Sequence, residues 1–155
     1  MKAEVSKHSV LSSSSSEGEG RIKGIPGVRE IDFDEVVLGT QIGQGGFSVI
    51  KNGTWRGTPV AVKVIFDPVI TDDLLDEITN EVRMLSILRH PKIVLLMGMA
   101  TKLPNMAILF ENVPQGCLFD YIHVNQKELS TAQRLKIAQE VASVFSFLHQ
   151  SGIVH

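Results

Sequence analysis

Short apolar runs separated by glycine-rich turns dominate the chain between residues 31 and 65. The runs at residues 36–42, 47–55 and 60–65 are rich in Val, Ile and aromatic side chains, which favour strands. Because the connections between the runs are short, we predict antiparallel hairpins. Asn52 and Gly53 form a two-residue hairpin signal inside the second run, so this strand is predicted either to continue or to be interrupted there.

A helical period follows the third run. Thr71, Asp72 and Asp73 predict an N-cap followed by acidic residues in the first helical turn. Beyond them, apolar residues recur every three or four positions, which predicts an amphipathic helix that ends before Pro91. The apolar positions of this helix are Leu74, Ile78, Val82, Leu85 and Leu88.

Two more strands and a second long helix complete the pattern. Residues 93–99 and 106–110 predict the strands, and Ser130 with Gln133 has the spacing of a capping box. The helix after this box is predicted to end at Gly152. Its apolar stripe consists of Leu135, Ala138, Val141, Ala142, Phe145 and Leu148. Five strands with one inserted helix, followed by further helices, predict an α+β fold.

The composition of the N-terminus is different from that of the rest of the chain. Seven of the first 16 residues are Ser, and residues 12–16 are an unbroken Ser run. Such a segment buries too little apolar surface to offset the entropy lost on ordering. We therefore predict a disordered Ser-rich tail over residues 1–28 and a folded domain over residues 29–155.

Charge and apolar runs restrict the class of protein. Lys and Arg number 15 and Asp and Glu number 17, a formal net charge of −2, whereas a nucleic-acid-binding protein would have a clustered basic excess. The longest apolar run, residues 93–97, is too short to span a bilayer. The single cysteine, Cys117, excludes an internal disulfide framework. These features predict a soluble cytoplasmic or nuclear protein that binds neither nucleic acid nor membranes.

Gly43-Gln44-Gly45-Gly46-Phe47-Ser48 is a glycine-rich turn between the first two predicted strands. Glycine lets backbone N–H groups approach a phosphate without an intervening Cβ. A Rossmann dinucleotide site would need a helix directly after the glycines, and a Walker A loop would need Gly-Lys-Ser or Gly-Lys-Thr; neither follows. The turn by itself is therefore either a plain hairpin or a phosphate-binding loop of another kind.

Val60-Ala61-Val62-Lys63 places a charged side chain in an apolar strand. The strand period puts Ala61 and Lys63 on one face and the valines on the other. A lysine between apolar neighbours is costly to bury unless a carboxylate meets it, and Glu81, in the middle of the predicted helix, is the candidate. The alternative is two unrelated, exposed charges.

Four motifs, in this order along the chain, resemble the small lobe of a eukaryotic protein kinase. They are Gly43 with Gly45, Val60-Ala61-Val62-Lys63, Asn80-Glu81-Val82 and Arg89-His90-Pro91-Lys92-Ile93-Val94. Residues 106–111 and 116–122 resemble the hinge and the first large-lobe helix, and residues 148–155 resemble the run into the catalytic loop. Residues 53–57 and 95–98 resemble the tyrosine-kinase-like group, near the Raf and mixed-lineage kinases.

The resemblance implies a small lobe over residues 31–111, a hinge over 111–116 and a partial large lobe over 117–155. It also implies an ATP site, in which the glycine-rich loop covers the phosphates, Lys63 holds the α- and β-phosphates and Glu81 orients Lys63. Ile50 and Ala61 would sandwich the adenine, while Phe110 occupies the gatekeeper position. The implied binding residues are Ile42, Gly43, Gln44, Gly45, Gly46, Phe47, Ser48, Val49, Ile50, Ala61, Lys63, Glu81, Phe110, Glu111 and Val113, the last two through backbone groups that bind the adenine edge.

His155 matches the first residue of the family's His-Arg-Asp motif. The resemblance therefore implies the ATP-binding portion of a protein serine/threonine kinase, which in its full-length parent transfers the ATP γ-phosphate to protein hydroxyls. The catalytic Asp of the family is the last residue of this motif and its Mg ligands come later, so the 155 residues alone are expected to be inactive. The alternative is a naturally short, non-catalytic decoy that binds nucleotide or kinase partners. A small-lobe dimer is a further hypothesis from the same resemblance.

Overall fold

The computed structural model describes residues 24–66 and 70–154, so the predicted tail at residues 1–23 lies outside the described residues. Residues 24–28, which the sequence assigned to the tail, belong to the fold. Ile25 is buried in the apolar core.

Five strands form one antiparallel sheet, which confirms the predicted α+β fold. The strands are β1 (Val36–Gln44), β2 (Ser48–Trp55), β3 (Thr58–Ile65), β4 (Leu96–Ala100) and β5 (Ala107–Glu111). Their order across the sheet is β1-β2-β3-β5-β4, so β3 is central and β4 is an edge strand. A short 3-10 helix, Phe33–Glu35, precedes β1, and helix α1 (Asp72–Ile87) lies between β3 and β4 along the chain.

The pairing of β2 with both neighbouring strands shows where β2 ends. Asn52 and Gly53 do not form a turn, because β2 continues through both and pairs with β1 and β3. The turn that joins β2 to β3 is instead at Arg56 and Gly57, whose φ angles of 49° and 80° are those of a type I′ turn. Gly53 serves a close approach: an added Cβ would lie 2.6 Å from the Val37 carbonyl oxygen.

The sheet separates two apolar clusters. One cluster, which we call the helix-side cluster, contains Ile25, Ile65, Leu74, Leu75, Ile78, Val82, Met99, Met106 and Ile108. The other, which we call the outer cluster, contains Ile31, Val36, Trp55, Val60, Val62, Ala100, Ala107 and Leu109. Paired residues of antiparallel strands share a face. The pairing of Lys63 with Ile108 therefore places Lys63 on the face of the helix-side cluster, opposite Val62, as the strand period predicted.

Helix α1 has the predicted start. The Thr71 side-chain oxygen accepts a hydrogen bond of 3.2 Å from the Leu74 N–H. The helix ends at Ile87, one residue before the last predicted apolar position, Leu88.

Contacts divide the described chain into two compact units. The first contains residues 24–66, 70–87 and 95–112, and the second contains residues 88–94 and 113–154. The second unit has a π-helical turn (Asp120–Val124) and helix α2 (Thr131–Gln150). The predicted capping box is confirmed, since the Ser130 hydroxyl accepts from the Gln133 N–H at 3.3 Å and the Gln133 side chain accepts from the Ser130 N–H at 2.8 Å.

The predicted apolar stripe of α2 is mostly exposed. Of the six stripe residues only Leu148 is buried, and Leu135 is among the exposed ones. Within the second unit, residues 88–94 contact a neighbouring face of the helix instead. Lys92 Nζ lies 2.8 Å from a Glu140 carboxylate oxygen, which lowers the pKa of Glu140. The His90 ring lies 5.2 Å from that of Phe147, a second contact of residues 88–94 with this face of the helix.

The Glu35 carboxylate joins the 3-10 helix to the β2–β3 hairpin. It accepts hydrogen bonds from Arg56 Nε at 2.8 Å and from Trp55 Nε1 at 3.0 Å, and a second Arg56 nitrogen lies 2.6 Å away. The hydrogen bonds from Arg56, and secondarily from Trp55, lower the pKa of Glu35 from 4.5 to about 2. Arg29 stacks over the Trp55 ring at 4.8 Å, so the cluster extends to the residues before the 3-10 helix.

We expect Glu35 to make the stability of the first unit depend on pH in the acidic range. Its pKa is lower in the folded state, so its contribution is complete above the ordinary value of 4.5 and is lost as pH falls from there toward 2. The thermal unfolding midpoint of the wild type should therefore fall more steeply below pH 4.5 than that of Glu35→Gln. Parallel pH profiles for the two proteins would contradict this expectation.

Candidate nucleotide-binding site

Lys63 of β3 and Glu81 of α1 form an ion pair. Lys63 Nζ donates to both carboxylate oxygens of Glu81, each at 2.8 Å. The side chains retain 19% and 34% of their accessible surface, so the predicted pair exists but is partly, not fully, buried. The two residues lie outside the set of buried residues that forms the helix-side cluster, and part of the pair's surface stays accessible.

Packing on both sides of the pair fixes its geometry. Lys63 is paired with Ile50 on one side and with Ile108, which is fully buried, on the other. Glu81 lies on α1 between Ile78 and Val82, which pack in the helix-side cluster. Because the apolar face of the helix is held against the sheet, the carboxylate is held against the lysine.

The glycine-rich segment forms the β1–β2 hairpin loop. Its turn is closed by a 2.7 Å hydrogen bond from the Gly45 N–H to the Ser48 carbonyl oxygen. An added Cβ at Gly45 would lie 2.9 Å from the Ser48 hydroxyl, whereas one at Gly46 would meet no atom within 4 Å. Gln44 is exposed together with both glycines, so the loop presents backbone to open space.

The strand register shows which predicted site residues share a face with Lys63. Ile50 is paired with Lys63, and Phe110 is paired with Ala61, the neighbour of Lys63 on that face. Ile50, Ala61 and Phe110 are all partly buried. Val49 is paired with Val64, which places it on the opposite face of the sheet.

The remaining predicted residues lie farther along the same unit or outside it. Phe47 packs against the helix-side cluster, and Ile42 is exposed on β1. Glu111, the last residue of β5, donates its N–H to the Leu95 carbonyl oxygen at 3.0 Å. Its carboxylate accepts from the Leu95 N–H at 2.9 Å, a clamp that the sequence reasoning missed because no motif marks it. Val113 belongs to the second unit and is half exposed.

Neither a metal centre nor a membrane span is found in the part of the chain that the structure describes. No group of three or more His, Cys, Asp or Glu side chains there is placed to hold a metal ion. Among the same residues, no helix combines the length and the apolar character needed to cross a bilayer.

Comparisons with known proteins agree with this geometry. The profile of the family described as protein tyrosine and serine/threonine kinase matches residues 36–155. A protein of Acanthamoeba polyphaga mimivirus named as a serine/threonine-protein kinase/receptor is 44% identical over 135 residues, which are 86% of this chain and 8% of that protein. Proteins named as serine/threonine-protein kinases of Arabidopsis thaliana and Dictyostelium discoideum are 40% and 37% identical, each over 81% of this chain.

The matched region is a small part of each relative. The alignments cover 12% of the Arabidopsis protein and 14% of the Dictyostelium protein, so the chain spans roughly a tenth of the length of the curated relatives it matches. The family profile covers more than three quarters of this chain and includes the glycine-rich loop, Lys63 and Glu81. The chain belongs to the protein tyrosine and serine/threonine kinase family.

Proposed function

We propose that this chain is the ATP-binding portion of a protein serine/threonine kinase of the tyrosine-kinase-like group, near the Raf and mixed-lineage kinases. In the cytoplasm, the full-length parent would transfer the ATP γ-phosphate to Ser or Thr hydroxyls of a protein substrate. The observation that carries the proposal is the Lys63–Glu81 pair, with both Nζ–Oε distances at 2.8 Å. The choice of Ser and Thr as acceptors is supported by the names of the relatives.

The lysine supplies a localised positive charge for phosphate. An ammonium group has three donors, and a charge-assisted hydrogen bond to a phosphate oxygen is among the stronger polar contacts in proteins. Glu81 holds Lys63 Nζ in place before the ligand arrives, which reduces the ordering cost of binding. The accessible surface of the pair is where the α- and β-phosphates would bind.

The glycine-rich loop fits the remaining phosphate oxygens. Gly46 has open space where a side chain would lie, so its backbone can approach a ligand closely. The Gly45 N–H is already bonded to Ser48, so it closes the turn. The loop residues 43–48 would therefore bind phosphate through the exposed backbone beyond Gly45.

The adenine would lie against the apolar side chains on the Lys63 face of the sheet, namely Ile50 and Ala61, with Phe110 behind it. Because the Glu111 N–H donates to the Leu95 carbonyl oxygen, the contact of Glu111 with the adenine would be made by the Glu111 carbonyl oxygen. The Val113 N–H would supply the second contact to the adenine edge.

Bound ATP would supply the phosphoryl group, and catalysis in this family consists mainly of positioning and charge stabilisation. The residues of this chain would provide the positioning: Lys63 and the loop orient the phosphates, and the apolar face excludes water from the base. Mg would accompany the ATP, as the resemblance to the family implies. Among the described residues, no group of three or more His, Cys, Asp or Glu side chains is placed to hold a metal ion by itself.

We expect Lys63→Ala to weaken ATP binding by about tenfold or more, since it removes a charge-assisted contact to phosphate. Isothermal titration of the 155-residue polypeptide with ATP measures this directly. Lys51→Ala is the matched control, because Lys51 lies on the adjacent strand but is paired with Val62, on the opposite face of the sheet. The proposal fails if the wild type does not bind ATP, or if both lysine variants bind with wild-type affinity.

A further inference from the structure

An N-terminal segment that precedes the family match wraps around the edge of the sheet. This segment, residues 24–31, is called here the N-terminal clip; the kinase family profile begins only at residue 36. Ile25 and Ile31 are each 6% exposed, but they are buried on opposite faces of the sheet. Ile25 belongs to the helix-side cluster and Ile31 to the outer cluster, so the clip passes across the edge strand β4.

Backbone hydrogen bonds fasten the clip to β4. The Ile31 N–H donates to the Met99 carbonyl oxygen and the Met99 N–H donates to the Arg29 carbonyl oxygen, both at 2.9 Å. Glu30 forms a parallel bridge with Met99, and its carboxylate accepts from the Thr101 hydroxyl at 3.0 Å. Edge strands have unpaired backbone groups, and here the clip pairs those of Met99.

The clip also packs against the helix that carries Glu81. Ile25 is in the same buried cluster as Ile78 and Val82, the α1 residues on either side of Glu81 along the buried face. Val28 packs against this cluster as well, and an added Cβ at Gly27 would lie 3.8 Å from the carbonyl oxygen of Ser86, near the end of α1. Tertiary packing of the apolar face provides most of the stability of a helix in a protein. The position of α1 therefore depends partly on a segment outside the family match.

We propose that the N-terminal clip positions α1, and that Ile25 is the residue through which it keeps Glu81 within hydrogen-bond distance of Lys63. Only a small displacement of α1 is compatible with this pair, because the two 2.8 Å contacts between Lys63 and Glu81 would be lost if the helix moved by about an ångström. Removing a buried side chain leaves a cavity into which neighbours partly relax, and here the movable neighbour is α1. The inference rests on the proposed function only where it concerns nucleotide affinity.

Ile31 offers a matched control for Ile25. Both are isoleucines of the clip with the same 6% exposure. The outer cluster around Ile31 contains no residue of α1, whereas the helix-side cluster around Ile25 contains four. Alanine at either position removes the same atoms from a buried site of the first unit, but only the change at Ile25 removes atoms from the cluster that contains α1 residues.

The direct test is the NMR signal of the Lys63 ammonium group in ¹⁵N-lysine-labelled protein without nucleotide. We expect a protected Lys63 signal in the wild type, its loss in Glu81→Gln and Ile25→Ala, and its retention in Ile31→Ala. Ile25→Val, which keeps most of the side chain, should restore the signal. Retention of the signal in Ile25→Ala, or equal loss in Ile31→Ala, overturns the proposal. If Ile25→Ala does not fold, the rate at which the Lys63 ammonium protons exchange with water is compared in Ile25→Val and Ile31→Val: faster exchange in Ile25→Val alone supports the proposal, and equal rates overturn it.

ATP affinity gives a second, independent readout. We expect Ile25→Ala to weaken ATP binding by about tenfold and Ile31→Ala to have a much smaller effect. In a Glu81→Gln background the effect of Ile25→Ala should disappear, because the side chain through which it acts is neutralised. An equal effect of Ile25→Ala in both backgrounds overturns the proposal. If the wild type does not bind ATP but its Lys63 signal depends on Ile25, the proposed function is overturned and the proposed role of the clip in positioning α1 is supported.

Discussion

Replacing Gly98 by alanine is expected to push the N-terminal clip away from β4 and to destabilise the first unit by about 3 kcal/mol. An added Cβ at Gly98 would lie 2.6 Å from the Arg29 carbonyl oxygen and 2.5 Å from the end of the Ile31 side chain. The Arg29 carbonyl is backbone and accepts the Met99 N–H, so it cannot move without breaking that hydrogen bond. Urea unfolding followed by the fluorescence of Trp55 measures the loss, because Trp55 is the single tryptophan of the chain and lies in the outer cluster with Ile31.

Gly46→Ala is the control for Gly98→Ala. An added Cβ at Gly46 meets no atom within 4 Å, so the same chemical change is expected to leave the unfolding midpoint nearly unchanged. Equal urea unfolding midpoints for Gly98→Ala and Gly46→Ala would show that the clip is not closely packed against β4 in solution.

The second large effect is expected at Leu109, at the centre of the outer cluster. Leu109 is fully buried on β5, and Leu109→Ala removes apolar surface and leaves a cavity, which costs about 2–5 kcal/mol. Small domains are stable by only about 5–15 kcal/mol, so this change alone removes a large part of the total. The measurement is again the Trp55 unfolding curve, since both residues lie in one cluster.

Leu95→Ala is the matched control for Leu109→Ala. Leu95 belongs to the same unit, retains 45% of its surface and contacts Glu111 through its backbone, which alanine preserves. We expect its effect to be below about 1 kcal/mol. If Leu95→Ala destabilised the protein as much as Leu109→Ala, burial at the outer cluster would not be the source of the stability.

Local patterns predicted most of the fold because each depends on a short stretch of chain. Short apolar runs predicted the five strands, and the period of α1 together with Thr71 predicted a helix that begins at Asp72. The Ser130 capping box was predicted from two residues three positions apart. Period two also predicted the face of Lys63, because adjacent strand residues must point to opposite sides of a sheet.

Structural features that depend on residues distant in the chain were predicted less well. Asn52 and Gly53 carry a strong turn signal, but pairing with both neighbouring strands holds them in β2. The Lys63–Glu81 pair was predicted as buried, whereas part of its surface stays accessible.

The sequence by itself determined the five strands and two long helices, the face of Lys63 and the order of motifs that identifies the kinase family, because propensity, period and spacing are local properties. The tertiary structure alone decided the 2.8 Å meeting of Lys63 with Glu81, the Glu111 clamp on Leu95 and the inclusion of the clip in the core. Each of these contacts joins residues far apart along the chain. The free energy of such contacts comes from burial and hydrogen bonding after the chain has packed, and no short pattern records it.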